Sequence, residues 1–202
     1  GWEAAIAGCD SVAHVASPLP ATMPKDELEL IRPAVEGTLR VLKAAISAGA
    51  KSFVLTSAGY AASAGHEHGR TKPFTEDDWG VPDGRGVNAY QKSKILAERA
   101  ARDHLAASGA QLHFASILPG FVAGPALDGD LSISSDVIRM ALAGKYPGMP
   151  RLCFPIADVR DVAKAHVLAA EGTGPNGGRY LIAAETLWMI DFARILKADL
   201  GE

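Results

Sequence analysis

Two cysteines, Cys9 and Cys153, are all that 202 residues carry. That is too few for a disulfide framework or a zinc site, and a reducing cytoplasm is the default compartment. No basic run occurs, and the formal charge is −3. A nucleic-acid or anionic-membrane surface is therefore not expected. No apolar stretch approaches the ~20 residues that span a bilayer. The opening Gly1-Trp2-Glu3-Ala4-Ala5 has neither the basic region nor the apolar run of a signal peptide. Both ends read as cut from something longer, since the chain starts without Met in a helical pattern and stops just after another. What is present is ordinary for a globular domain: 48% hydrophobic and 21% charged residues. A chain of this length makes about one domain and buries roughly 70% of its unfolded surface.

Strands and helices alternate. Val12 to Ala16 is a short apolar run, ended by Ser17-Pro18, which reads as a strand buried on both faces. Residues 25–48 carry Leu28, Ile31, Val35, Leu39, Leu42 and Ile46 at helical spacing, with Gly49 as the stop. Ser52 to Thr56 is a second strand. Residues 58–86 form a long aperiodic connection, too long to be idle in a compact domain. Further helices are expected at 87–107, 134–143, 158–170 and 187–200, and strands at 111–118 and 179–184. This order predicts an α/β fold, a doubly wound parallel sheet with helices on both faces.

In such sheets ligands bind outside the carboxyl ends of the strands. Three segments lie there: His14 to Pro18, Thr56 to Gly59, and Leu118 to Pro125. Any one of them alone could be a simple turn. The helix from Val87 adds Tyr90 and Lys94. At i and i+4 they share one face, about 6 Å apart along the axis. An ammonium that close predicts a phenol lowered from its free value of roughly 10. A surface Tyr and a solvated Lys are the bland alternative.

The run Asn88-Ala89-Tyr90-Gln91-Lys92-Ser93-Lys94, with Leu96-Ala97-Glu98 after it, resembles the active-site helix of extended short-chain dehydrogenases/reductases. His14 to Pro18, Phe53 to Ser57, Pro73 to Trp79, Asp158 to Ala163 with His166, and Leu187 to Asp191 fit the same family in the same order. The resemblance covers essentially the whole chain. It points to the aldehyde reductase and dihydroflavonol-4-reductase branch of the NAD-dependent epimerase/dehydratase superfamily. It implies a partial Rossmann-like sheet over residues 1–125. Residues 126–202 would mix the end of that sheet with part of a smaller C-terminal substrate region. It also implies hydride transfer from NADP, with NAD as the alternative, to a small aldehyde or ketone. Tyr90 would donate the proton, and Lys94 would hold the ribose and tune the phenol. Val15, Ala16, Ser17, Pro119, Gly120 and Val122 would line the cofactor, and Ser134 would approach its phosphate. The resemblance also allows a homodimer through the helices at 25–48 and 87–107, the alternative being that their apolar faces are spent against the sheet.

Two departures stand out. The family often carries Thr-Ser-Ser after its second strand, whereas this chain has Thr56-Ser57-Ala58, so Ser57 is the expected catalytic hydroxyl. The family's Gly-rich phosphate loop has no counterpart in these residues. A non-catalytic nicotinamide sensor or remnant is thus an alternative to the carbonyl reductase. A sugar-nucleotide epimerase/dehydratase or hydroxysteroid dehydrogenase is another. His66 and His68 beside Glu67 read as a solvated loop rather than a metal site. Asp158 and Asp161 read as helix-starting carboxylates, and Trp188-Met189-Ile190 as core.

Overall fold

The computed structural model describes residues 1–20, 22–67, 69–127, 133–145, 148 and 150–200. A parallel sheet carries the first part of the chain. Its strands are β1 (Ser11–His14), β2 (Ser52–Thr56), β3 (His113–Pro119) and, from far along the sequence, β6 (Gly178–Ile182). They lie in the order β1-β2-β3-β6, all parallel. The expected α/β sheet is thus present.

Strand β2 shows why its sequence is apolar throughout. Phe53 and Leu55 face a core formed with α2 (Leu28–Ser47), α4 (Ala89–Ser108) and α1 (Trp2–Ile6). Val54 faces the opposite core, beneath Ala169 of α6 (Val159–Ala170). Alternate side chains point to opposite faces, so a strand covered on both sides has no polar face to show. Helices α2 and α4 pack against each other on the first face. Their shared apolar surface is filled by Val41, Leu42 and Ala101.

The chain leaves this sheet at Gly120. It forms a second, three-stranded sheet of β4 (Phe121–Ala123), β5 (Cys153–Asp158) and β7 (Glu185–Trp188), in the order β4-β5-β7. Helices α5 (Ile133–Leu142) and α7 (Met189–Leu200) pack beside it. Phe121 gathers Phe154 and Phe192 around it, with ring centroids at 5.1 and 5.9 Å.

The helices and long strands fall within a few residues of their expected positions. Three strands do not follow from periodicity: β4, β5 and β7 have three, six and four residues. Their side chains are mostly exposed or half-buried, so none carries the unbroken apolar run that marks β2 and β3. The 58–86 connection also contains a four-residue helix, α3 (Tyr60–Ser63). Trp188-Met189-Ile190 is not uniformly core. Met189 is buried, but Trp188 and Ile190 are exposed, because the segment is a strand-to-helix junction with only one side against the lobe.

Candidate active site

The carboxyl ends of β1, β2 and β3 meet along one edge of the first sheet, at His14, Thr56 and Pro119. Helix α4 brings its first turns to this edge. Its start is fixed by a reciprocal capping box. The Gln91 N–H donates to Asn88 Oδ1 at 2.9 Å, and the Asn88 N–H donates to Gln91 Oε1 at 3.0 Å. The box encloses Tyr90, so the phenol leaves the helix in a defined direction.

One turn on, Lys94 lies on the same face, its Nζ 5.9 Å from the Tyr90 ring centroid. Lys94 is 6% exposed, and its ammonium donates to the Thr56 carbonyl at 3.1 Å. Among the described residues it has no carboxylate partner. Burial without a counter-charge disfavours the ammonium and draws its pKa down to about 8.

The sequence predicts a phenol lowered by Lys94. The structure corrects this: burial, and secondarily the neighbouring Tyr60, raise the Tyr90 pKa. A phenolate in this pocket loses more hydration than the lysine restores. Tyr90 therefore stays protonated through neutral pH, which is the state a proton donor needs.

Tyr60 is the residue that sequence reasoning missed. Its ring meets Tyr90 edge-on, with centroids 6.5 Å apart. Its pKa is raised by burial first, then by Cys153, while a hydrogen bond from Gln91 opposes the rise. The signal was available: Tyr60 follows the end of β2 by four residues and so had to emerge at the same edge.

Ser57, the hydroxyl expected at the end of β2, points inward. It is buried, and its Oγ donates to Glu98 Oε2 at 2.7 Å, inside the core. In this arrangement the Ser57 hydroxyl is directed to Glu98, and no contact with Tyr90 occurs among the described residues. Ala58, next in line, is buried and has no hydroxyl.

Around the edge, His14 Nε2 lies 3.3 Å from Thr38 Oγ1. Burial, then Lys94, lower the His14 pKa and keep it neutral. Thr56 Oγ1 is 2.7 Å from His166 Nε2, and His166 Nδ1 is 2.8 Å from the Val162 carbonyl. A carbonyl only accepts, so Nδ1 carries the hydrogen and Nε2 accepts from Thr56. Val15 and Ala16 are exposed and Ser17 half-buried, making an open shelf after β1. Pro119 is buried at the end of β3, and Val122 is half-buried in β4. Gly120 is glycine for a packing reason: a Cβ there would stand 2.1 Å from the Pro155 carbonyl oxygen. Ser134 lies on α5, beside the second sheet.

The remaining candidates have structural roles. His66 Nε2 donates to the Ala62 carbonyl at 3.1 Å, and its ring packs on Phe74, while His68 lies outside the described residues. No cluster of three metal-ligating side chains occurs among the described residues. Asp158 caps α6, accepting the Arg160 N–H at 2.8 Å. No described helix is long and apolar enough to cross a membrane.

The sequence model of the NAD dependent epimerase/dehydratase family matches residues 2–183. Among curated proteins, cinnamoyl-CoA reductase 1 of Oryza sativa subsp. japonica is 32% identical over 197 residues, covering 96% of this chain and 56% of that protein. An anthocyanidin reductase of Vitis vinifera is 31% identical over 213 residues, covering 97% and 61%. Among solved structures, yeast methylglyoxal/isovaleraldehyde reductase complexed with NADPH superposes with a TM-score of 0.87 at 26% identity, covering 98% of this chain and 63% of that one. The chain thus spans 56–63% of the length of these relatives.

Proposed function

From the premise that this chain belongs to the NAD dependent epimerase/dehydratase family, we propose that it is the catalytic part of an NADPH-dependent carbonyl reductase. The observation that carries this reading is the buried Lys94, with no carboxylate partner among the described residues, one helical turn from a protonated Tyr90 at the sheet edge. A lysine buried with only a carbonyl to answer its charge costs stability, and a role toward a bound ligand explains its retention.

The residues present fit a nicotinamide ribose. Lys94 spends one N–H on Thr56 and has donors left for vicinal hydroxyls. The Tyr90 hydroxyl makes no hydrogen bond among the described residues. The Val15-Ala16-Ser17 shelf is open for a flat ligand. The NADPH-bound yeast relative supports NADP, with NAD as the alternative.

A bound reduced nicotinamide supplies the hydride that converts the carbonyl to an alkoxide. Tyr90 gives its phenolic proton to that alkoxide oxygen. Lys94, held by Thr56, stabilises the phenolate that remains until a proton from solvent restores the phenol. The neutral His14 beside Lys94 adds no positive charge to the pocket. The Tyr60 ring walls one side of the space in front of Tyr90 and orients an apolar substituent of the substrate.

The test is Tyr90→Phe in the full-length protein, assayed by NADPH oxidation with aldehydes and by cofactor binding. The reading expects turnover to fall by about 10²–10⁴-fold and binding to persist. A Phe variant reducing aldehydes at the parent rate overturns it. NADPH binding with no turnover of any carbonyl by the parent protein points instead to a sensor.

A further inference from the structure

Beneath the site lies a buried ionic cluster that the reaction does not use. Glu98 is fully buried on α4. Its Oε2 accepts from Ser57 at 2.7 Å, and its Oε1 accepts from Arg179 Nε at 2.8 Å and Arg102 Nε at 3.2 Å. Arg102 continues to the buried Ser116 of β3 at 3.1 Å. Arg179 reaches from β6 to the carbonyls of Ala61, Glu76 and Asp78, in α3 and the 64–88 connection.

The geometry links this cluster to Lys94. Glu98 follows Lys94 by four residues, so both project from the same side of α4. Each grips one end of the same peptide. Lys94 takes the Thr56 carbonyl, and Glu98 takes the Ser57 side chain. The Thr56 C=O and Ser57 N–H belong to one planar unit. That N–H donates to Ile117 at 2.8 Å. With the N–H fixed to β3 and the Ser57 side chain fixed to α4, the carbonyl has one direction left, toward the ammonium.

We propose that Ser57 and Glu98 are positioning residues whose buried hydrogen bond orients the Thr56–Ser57 peptide and so holds Lys94 in register with Tyr90. This rests on the reading of Tyr90 and Lys94 as a reductase site, but its geometry stands apart from turnover. The titratable groups facing Lys94 are Tyr90 on its own helix and His14 from β1. Glu98 is held below by Ser57 and the two arginines.

The experiment is Ser57→Ala in the full-length protein. The first readout is the titration of the Lys94 amine in cofactor-free protein, followed by NMR on labelled lysine. The second is the pH profile of kcat/KM. Loss of one hydrogen bond's worth of orientation lowers the Lys94 titration by about half a pH unit. The alkaline limb of the profile follows, with kcat reduced about 3- to 10-fold and KM nearly unchanged. Ser57→Thr, which keeps the hydroxyl, restores the parent titration. Ser57→Cys, a weak donor, shifts in the same direction and serves if the alanine variant does not accumulate. A Ser57→Ala protein that melts earlier yet titrates and turns over as the parent overturns the proposal. If the parent protein reduces no carbonyl while Ser57→Ala still moves the Lys94 titration, the positioning role stands and the reductase reading falls.

Discussion

The Lys94 ammonium donates to the Thr56 carbonyl at 3.1 Å and finds no carboxylate among the described residues. A main-chain carbonyl at the end of β2 is its counterpart in place of an anion. This arrangement leaves the lysine charged but poorly compensated, and that has a measurable consequence.

Lys94→Met is expected to stabilise the fold at neutral pH while abolishing turnover. Burial draws the Lys94 pKa from 10.5 to about 8. Between those values the unfolded chain holds a proton that the folded one does not, so stability rises with pH through this window. Below it the folded protein bears the full penalty, on the order of 3 kcal/mol. Chemical denaturation of both proteins at pH 7 and pH 10 checks this. A gain of about 1–3 kcal/mol at pH 7 is expected to shrink at pH 10.

Tyr60→Phe removes the hydroxyl whose proximity raises Tyr90. The Tyr90 titration should therefore move toward lower pH, though burial keeps it above the free value. Phenolate difference absorbance reads this directly. An unchanged onset would mean that the two rings touch without their hydroxyls interacting.

Arg179→Met leaves Glu98 with one guanidinium instead of two. It also releases the carbonyls of Glu76 and Asp78. Breaking a buried pair costs about 3–5 kcal/mol. Denaturation measures that loss, and limited proteolysis should show cleavage within 64–88 that the parent resists.

Gly120→Ala puts a Cβ 2.1 Å from the Pro155 carbonyl oxygen, so β5 must shift away from the end of β3. The expected loss is about 1–3 kcal/mol. A variant as stable as the parent would place the glycine's role elsewhere, with cofactor approach the next candidate to test by NADPH titration.

Much of this molecule is legible without coordinates. Alternation of apolar runs with 3.6-residue periodicity specifies the parallel sheet, because a strand covered on both faces and a helix covered on one leave different hydrophobic spacings. The i, i+4 relation of Tyr90 and Lys94 follows from helix geometry alone. Asp158 as a helix cap follows from its place before Val159 to Ala170. What only the tertiary structure decided is where each polar atom spends its hydrogen bonds. Ser57 and Tyr60 are both hydroxyl residues just past β2, yet Ser57 turns into the core toward Glu98 and Tyr60 turns out to meet Tyr90. Nothing in spacing separates them, since Glu98 is 41 residues from its serine and Arg179 is 81 from Glu98. The direction of the Tyr90 pKa was likewise settled by burial, a property of the packed molecule and not of the helix that carries it. Local periodicity fixes which residues share a face, and the folded interior determines which of them meet water, a carboxylate or a substrate.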